Sequence, residues 1–321
     1  MADYKAIKGW TIQTVSSDPS NPIVGQVWYN STLGKLRGAK TVGAWASGGA
    51  LNTGRYSLSG TGIQTAGIAI GGFGPSGALA LTESYDGSSF SETGDLNTGR
   101  RSTGAAGTST AGLVYGGWSS PPAAQAITES FDGTNWTEVA DLNTNRSEVA
   151  GVGTNTAAIA IAGFTPPNVD NVETWDGASW TEVADLNTTR RRLAAAGTQT
   201  AALGFGGYPP AQAVCESYDG SSWTEVGDLN TARSGLSAGG LQPAAVAFAG
   251  YTNSPDAVSA LTELWDGSSW TETTDLNTAV YSSASFGTQA AALNTGGEAA
   301  SVASATEEWT YGATATNWDV T

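Results

Sequence analysis

The sequence contains no histidine, which removes the residue that most often serves as a general base and as a transition-metal ligand. Its single cysteine, Cys215, has no second thiol for a disulfide, and one thiol makes neither a zinc nor an iron–sulfur site. The cysteine count therefore does not indicate the cellular compartment. We expect a protein with no enzymatic activity, no catalytic residues, no metal site and no cofactor.

Charged residues and long apolar runs are also scarce. Only 13% of residues are charged, against roughly 25% in an average protein, and the net charge is −16. Such an acidic surface repels phosphate backbones, so nucleic acid is not an expected partner. The first fifteen residues lack the apolar stretch of a signal peptide, and the longest apolar run, residues 157–162, is far shorter than the ~18 residues of a membrane span. We expect a soluble protein without membrane insertion.

The sequence is rich in glycine and in internal repeats. The tetrapeptide Leu-Asn-Thr-x begins at Leu51, Leu96, Leu142, Leu186, Leu229 and Leu276. Each copy is followed by a short apolar run that ends in Gly-Gly or Ala-Gly, and then by Thr-Glu-x-aromatic-Asp-Gly or a variant. Each repeat predicts four short strands, a to d, with a tight Asp-Gly turn between c and d. No helix is predicted, and four strands per ~45 residues are typical of a β-propeller blade.

The repeat resembles the kelch type, a family that includes the propeller domain of galactose oxidase. The resemblance rests on the Gly-Gly that closes strand b, the aromatic-Asp-Gly turn, the Trp of strand d and the Arg after the next loop. It covers about residues 45–321 and implies an all-β, six-bladed propeller of four-stranded blades. It does not specify a function, because kelch-type propellers serve enzymes, adaptors and lectins. The copper site of galactose oxidase needs histidines, so that chemistry is excluded here.

The chain ends provide a candidate closure. Trp45 lies six residues before Leu51, the same offset as Trp136 before Leu142. We therefore predict that residues 43–49 form a strand d that completes the last blade; an alternative recruits residues 25–50 into a seventh blade. The predicted domains are an N-terminal hairpin or attachment segment, residues 1–42, and a propeller, residues 43–321.

A second resemblance lies in residues 25–38. The pattern Gly-x-x-Trp-Tyr-Asn-Ser-Thr-x-Gly-Lys-Leu predicts a hairpin and is similar to one found in bacteriophage structural and tail-fibre proteins. Near-identical Leu-Asn-Thr-x-Arg arrays are similar to proteins of marine phages. The resemblance implies a virion location, or a soluble form in the host cytoplasm during assembly. It also implies other virion proteins as partners and multiple copies per particle.

Charged residues recur with the repeat. Every strand c has a glutamate, and five repeats have a matching arginine: Glu83, Glu129, Glu173, Glu216, Glu263 and Glu307, with Arg55, Arg100, Arg146, Arg190 and Arg233, and Val280 at the sixth position. These side chains either bind a ligand on the axis or form bidentate pairs that tie blade to blade. We favour the pairs, because catalysis needs one asymmetric constellation. Three further arginines, Arg101, Arg191 and Arg192, break the repeat and either are solvated or contact an anionic sugar or a partner.

The b–c connections differ in length and sequence between repeats, and five of the six follow an aromatic residue: Phe73, Trp118, Phe164, Tyr208 and Tyr251, with Glu298 in the sixth. A repeated scaffold with one variable face indicates a binding surface, and these five rings are the predicted ligand-binding residues. Alternatively they pack between blades. The predicted function is a non-enzymatic phage virion protein whose variable face binds a host glycan or a virion protein. The alternatives are a free kelch-type lectin or adaptor and, least favoured, a glycan-processing enzyme.

Overall fold

The structure is a computed structural model that describes residues 12–20, 26–253, 256–299 and 301–317. All its regular elements are strands, so the all-β prediction is confirmed. No helix able to span a bilayer occurs among the described residues. The chain divides into two compact units, which we call the terminal unit (Met1–Ala44 with Thr310–Thr321) and the repeat unit (Trp45–Trp309).

The first three strands of the chain are β1 (Gln13–Val15), β2 (Val27–Asn30) and β3 (Lys35–Gly48), and residues 45–48 of β3 belong to the repeat unit. β2 and β3 pair antiparallel around the turn at residues 31–34, as the sequence predicts, although residue 25 of the predicted hairpin lies outside the described residues. β3 is one continuous 14-residue strand, whereas the sequence analysis treated its two ends as separate elements. No proline or turn residue pair interrupts residues 35–48, so nothing in the backbone ends the strand.

The Asp18 carboxylate holds this hairpin together. It accepts hydrogen bonds from Trp28 Nε1 at 2.9 Å and Asn30 Nδ2 at 2.8 Å, and it pairs with the Arg37 guanidinium at 2.6 Å. These contacts, led by the Asn30 hydrogen bond, lower the pKa of Asp18.

The remaining strands follow in chain order: β4 (Ser59–Ile63), β5 (Ala66–Ile70), β6 (Phe73–Gly74), β7 (Gly77–Ala78), β8 (Thr82–Tyr85), β9 (Phe90–Glu92), β10 (Gly104–Thr108), β11 (Ala111–Tyr115), β12 (Thr128–Phe131), β13 (Trp136–Val139), β14 (Ala150–Thr154), β15 (Ala157–Phe164), β16 (Asn168–Trp175), β17 (Trp180–Glu182), β18 (Ala194–Thr198), β19 (Ala201–Phe205), β20 (Cys215–Tyr218), β21 (Trp223–Glu225), β22 (Ser237–Leu241), β23 (Ala244–Phe248), β24 (Tyr251–Asn253), β25 (Asp256–Val258), β26 (Thr262–Trp265), β27 (Trp270–Glu272), β28 (Ala284–Gly287), β29 (Ala291–Thr295) and β30 (Thr306–Asn317).

These strands form a series of four-stranded antiparallel sheets, consistent with a propeller. Sheets 1 to 5 are β4-β5-β8-β9, β10-β11-β12-β13, β14-β15-β16-β17, β18-β19-β20-β21 and β22-β23-β26-β27. Within the repeat unit, β28, β29, residues 306–309 of β30 and residues 45–48 of β3 lie in that order in one sheet, which we call sheet 6. The predicted b–c loops contain two small hairpins, β6–β7 and β24–β25, and in sheet 3 they are shortened by the long strands β15 and β16.

Consecutive sheets pack face to face through aromatic side chains. Trp180 of β17 lies edge-on to Tyr115 of β11, with ring centroids 4.7 Å apart, and its Nε1 donates to Thr128 Oγ1 at 3.0 Å. The same donation joins Trp136 to Thr82 at 3.1 Å. A buried core that is shared between neighbouring sheets is where most of the stabilising apolar area lies.

The first strand of each sheet lies at the centre of the repeat unit. β4, β10, β14, β18, β22 and β28 pack side by side, each against the next and β28 against β4. They line a cavity of about 330 Å³. In the described part of the chain its lining consists mainly of Gly, Ala, Ser and Thr and includes no charged side chain, because only small residues let the strands converge.

The Asp-Gly turns between strands c and d are built by their aspartates. Asp219 Oδ1 accepts hydrogen bonds from the Ser221 hydroxyl and from the Ser221 and Ser222 N–H groups, each at 2.8 Å. Those hydrogen bonds, led by the Ser221 hydroxyl, lower the pKa of Asp219 to about 2. Asp86 and Asp266 have pKa values of about 2 for the same reason, with the N–H of Ser89 and Ser269 contributing most.

These lowered pKa values predict how stability depends on pH. Between about pH 4 and about pH 2 the unfolded chain binds protons that the folded chain does not, so the free energy of unfolding falls as the pH falls through this window. Replacing Asp86, Asp219 and Asp266 by asparagine keeps an acceptor oxygen but removes the titration. Urea unfolding followed by tryptophan fluorescence at a series of pH values should therefore give a shallower pH dependence for the triple variant.

Glu225→Gln, at an exposed position on β21, is the control and should leave the pH dependence almost unchanged. Equal slopes for the triple variant and the unmodified protein would contradict this account of the turns.

Candidate functional site

Each Leu-Asn-Thr-x-Arg loop is anchored to two sheets. The N–H groups of Leu96 and Arg100 donate to the carbonyls of Ala80 at 3.0 Å and Leu79 at 3.1 Å, at the end of the sheet 1 b–c connection. Asn97 donates from its N–H and its Nδ2 to Glu129 Oε2 of sheet 2, at 2.8 and 2.7 Å. The loop therefore has a fixed position between neighbouring sheets.

The arginine of this loop binds the other oxygen of the same carboxylate. Arg100 Nη2 donates to Glu129 Oε1 at 2.7 Å, and its Nη1 donates to the carbonyls of Gly116 and Ile127 at 2.9 and 2.6 Å. Both Arg100 and Glu129 are fully buried. Burial lowers the pKa of Arg100, and the Glu129 carboxylate opposes that shift.

The same pairing recurs in five sheets, with buried partners in each. The pairs are Arg55–Glu83, Arg100–Glu129 at 2.7 Å, Arg146–Glu173 at 3.1 Å, Arg190–Glu216 at 2.8 Å and Arg233–Glu263 at 2.8 Å. The predicted bidentate geometry of these pairs is wrong, because the asparagine takes one carboxylate oxygen and leaves the other for the arginine. These groups hold each loop on the sheet that it enters and, because they are buried, present no charge to a ligand on the axis.

Sheet 6 has the carboxylate without the arginine. Glu307 accepts from the Asn277 N–H at 2.8 Å, Asn277 Nδ2 at 2.7 Å and the Thr278 N–H at 2.9 Å, and the buried Val280 occupies the arginine position. Hydrogen bonds alone satisfy this carboxylate.

The two residues that follow each loop arginine, or Val280 in sheet 6, surround one end of the axis around which the first strands of the six sheets lie. We call this set the mouth: residues 56–57, 101–102, 147–148, 191–192, 234–235 and 281–282. The second residue of each pair has a φ of 53–57°. Their backbone groups form a closed circle: the N–H of Ser57, Ser102, Glu148, Arg192, Gly235 and Ser282 donates to the carbonyl of Ser282, Ser57, Ser102, Glu148, Arg192 and Gly235, respectively, at 2.7–3.4 Å. A cavity of about 120 Å³ lies at this circle.

This circle was missed by the sequence reasoning. The six positions are occupied by serine, glutamate, arginine and glycine, and only glycine commonly indicates a positive φ. The hydrogen bonds of the circle hold the other residues in that conformation, and no local sequence pattern encodes them.

The structure places all five predicted aromatic residues beside the mouth, where each is partly exposed. Each forms a bridge with the first mouth residue of its own sheet: Tyr56–Phe73, Arg101–Trp118, Ser147–Phe164, Arg191–Tyr208 and Ser234–Tyr251, with Tyr281–Glu298 in sheet 6. Trp118 and Phe164 contact each other, with ring centroids 6.1 Å apart, while Phe73 and Tyr251 contact Tyr56 and Tyr281 of the mouth, each with centroids 5.4 Å apart. Ligand binding by these rings stays a prediction.

The mouth also brings together the arginines that break the repeat. The guanidinium of Arg101 lies 4.5 Å from the centroid of the Phe73 ring, and that of Arg191 lies 4.2 Å from the Phe164 ring. Arg191 and Arg192 both pair with Glu148, at 3.2 and 2.8 Å. Two of these three arginines thus share one carboxylate.

Sheet 6 contributes a different polar pair. Tyr281 donates its hydroxyl to Glu298 Oε2 at 2.6 Å. Burial and this hydrogen bond raise the pKa of Tyr281 to about 12, so the phenol stays protonated at neutral pH.

Cys215 lies in strand c, at the position taken by Thr82 and Thr128 in other sheets, and is buried. Burial raises the pKa of its thiol to about 12, so it is not a nucleophile at neutral pH.

Within the described ranges, no group of three or more acidic or cysteine side chains is placed to hold a metal ion. Comparisons with protein families and with curated proteins find no matching family model and no matching protein.

The five arginine pairs and the one unpaired carboxylate give a matched test of the scaffold. Glu129→Gln leaves the buried Arg100 guanidinium without a counter-charge and should lower the free energy of unfolding by about 3–5 kcal/mol. Glu307→Gln leaves no buried cation without a counter-charge, so it should lower the free energy of unfolding by only about 1–2 kcal/mol. Urea denaturation of both variants would measure the difference, and equal losses would show that the arginine pairs contribute nothing beyond the asparagine hydrogen bonds.

Proposed function

We propose that this chain is a non-enzymatic structural protein of a bacteriophage virion, located in the tail, in a fibre or as decoration on the particle. Its repeat unit presents the mouth to a host surface glycan or to a neighbouring virion protein. One contrast supports this proposal above all. The buried arginine–glutamate pairs that hold each loop on its sheet recur with little change, whereas the side chains around the mouth differ from sheet to sheet. Variation on a constant scaffold is typical of a recognition surface.

We further propose that the repeat unit is a six-bladed, kelch-like propeller closed by the N-terminal strand. Trp45 Nε1 donates to Thr262 Oγ1 of sheet 5 at 3.1 Å, the same contact that Trp180 makes with the preceding sheet. Asn277 Nδ2 donates to the Trp45 carbonyl at 3.3 Å, as Asn143 does to Trp180 at 2.9 Å. Six donors in the hydrogen-bonded circle of the mouth favour six blades over seven.

The chemistry of the mouth favours sugar or protein recognition. Aromatic rings that are partly exposed offer an apolar face to the C–H groups of a sugar, while the surrounding hydroxyl, amide and guanidinium groups supply hydrogen bonds. A binding site of this kind needs no activated nucleophile and no perturbed acid–base pair.

The carboxylates in strand c and those at the mouth favour binding over catalysis. Those in strand c are buried in the scaffold, Glu148 at the mouth is paired with two arginines, and Glu298 accepts from the Tyr281 hydroxyl. Glycoside hydrolysis needs two carboxyl groups that flank the scissile bond. Because these carboxylates are engaged by neighbouring side chains, they support a non-enzymatic role.

Residues 1–42 are proposed as the attachment segment. Their hairpin is held by the contacts of Asp18, so it is an ordered element suited to docking on another virion protein. Many copies on one particle would convert weak contacts at each mouth into useful avidity.

The virion assignment predicts the location of the chain. Quantitative mass spectrometry of purified virus-sized particles from the source culture should find it at several copies per particle, with an abundant host cytoplasmic protein as the contamination control. Absence from particles, with recovery of the chain as free soluble protein, would contradict the virion assignment and favour a free lectin or adaptor.

Glycan binding at the mouth predicts a second result. On an array of bacterial surface glycans, Trp118→Ala and Tyr208→Ala should weaken binding by roughly tenfold or more, because aromatic residues at the centre of a binding site carry much of its energy. Ile63→Ala, at an exposed apolar position at the far end of β4, should bind like the unmodified protein. Unchanged binding by both mouth variants would assign these rings to packing instead.

A further inference from the structure

We propose that the part of the mouth between sheets 3 and 4 is a subsite for a carboxylate-bearing sugar, so that the glycan recognised is acidic. This inference rests on the proposed glycan-binding function and specifies its ligand. The subsite consists of Glu148, Phe164, Arg191, Arg192 and Tyr208.

The charges of the subsite do not balance. Glu148 Oε1 accepts from Arg192 Nε at 2.9 Å and lies 2.8 Å from Arg192 Nη2, and Glu148 Oε2 lies 3.2 Å from Arg191 Nε. Two guanidinium groups therefore share one carboxylate, which leaves a net positive charge in a protein whose overall charge is −16. A second carboxylate, supplied by a ligand, would neutralise the group.

Guanidinium donors are available for that ligand. Among the described residues, no hydrogen-bond acceptor engages the terminal Nη atoms of Arg191 or the Nη1 atom of Arg192. The Arg192 side chain is 43% exposed and that of Arg191 is 20% exposed, whereas that of Glu148 is only 8% exposed. A guanidinium presents its donors in a planar fork that matches a carboxylate.

Aromatic rings fix one of these arginines and border the site. The Arg191 guanidinium lies 4.2 Å from the Phe164 centroid and 5.3 Å from the Tyr208 centroid. This stacking holds the donor plane in place, which reduces the entropy lost when a ligand binds. The exposed parts of the two rings offer apolar surface for the C–H face of a sugar next to its carboxylate.

The distribution of basic residues argues that this charge is not incidental. The repeat unit contains eight arginines and no lysine. Five are buried in the pairs with strand c glutamates, and the other three, Arg101, Arg191 and Arg192, all lie at the mouth. Free positive charge in the repeat unit is thus confined to the proposed binding surface.

Two further acidic side chains of the b–c connections are engaged by hydroxyl groups. Glu298 accepts from Tyr281 at 2.6 Å, and Asp170 of β16 accepts from the Thr189 hydroxyl at 2.8 Å. Arg101 lies over Phe73 without a carboxylate partner in the described part of the chain, so it provides a matched arginine outside the subsite.

The test compares a short oligogalacturonate with its methyl ester, which keeps the sugar rings and removes the charge. Calorimetric titration of the full chain should give at least roughly tenfold tighter binding for the free acid, because a charged hydrogen bond contributes about 1.5–3 kcal/mol. Raising NaCl from about 50 to about 500 mM should weaken binding of the acid, since salt screens partly exposed charges.

Variants assign the effect to the subsite. Arg191→Gln and Arg192→Gln should each lose roughly tenfold in affinity for the acid, whereas Arg101→Gln should change it by less than about twofold. Glu148→Gln should strengthen binding, because it removes the carboxylate that competes with the ligand. Circular dichroism and the melting temperature of each variant would verify that it is folded.

The outcomes separate this inference from the function on which it rests. Equal binding of acid and ester, or loss of binding in Arg101→Gln alone, would overturn the acidic subsite while glycan binding stands. If neither probe binds but neutral glycans bind on the array, the acidic subsite is likewise overturned and glycan binding stands. If neither probe binds and no glycan on the array binds, the glycan function is overturned as well. Binding of a peptide with a free C-terminal carboxylate, but not of its amide or of oligogalacturonate, would replace the sugar by a protein ligand.

Discussion

A carboxylate buried in the third strand of a sheet must be given hydrogen-bond donors, because a desolvated charge without partners costs several kcal/mol. In this protein the donors come from the loop that leaves the preceding sheet and enters the sheet of the carboxylate itself. Asn97 and Arg100 divide the two oxygens of Glu129 between them, and the N–H groups of Leu96 and Arg100 pair with carbonyls of the preceding b–c connection. The buried charge thereby holds the loop on the sheet it enters, while the backbone of the loop pairs with the preceding sheet.

The variability of the mouth follows from that constraint. The residue two positions after each loop arginine is held by backbone hydrogen bonds to its neighbours in the circle, so its location does not depend on its side chain. Serine, glutamate, arginine and glycine all occupy equivalent places there. Because these side chains are not needed to hold the backbone in place, they can differ from sheet to sheet at little cost in stability. A change at Glu129 or Arg100 instead removes a contact that holds the loop on its sheet.

Much of the fold could be predicted from the sequence, because it depends on local patterns. The Asp-Gly turns, the apolar runs that end in glycine and the repeat period predict four strands per unit, and the recurrence of Glu and Arg predicts the buried pairs. The site was only partly predictable. Phe164 and Tyr208 could be singled out, but the stacking of Arg191 between them joins residues of two sheets, and the shared use of Glu148 depends on a positive φ that glutamate does not signal.

The scarcity of charge gives the mouth its electrostatic character. A repeat unit with few basic residues, most of them neutralised in buried pairs, has an acidic exterior that repels anions at distances up to the Debye length. The three arginines at one end of the axis then attract an anionic ligand only at short range, after the ligand has already approached. Long-range attraction would favour any polyanion, whereas a local guanidinium fork beside an aromatic ring selects a single carboxylate on an otherwise apolar or neutral surface. The arrangement thus favours specificity over speed of association, which is consistent with the attachment role that we propose.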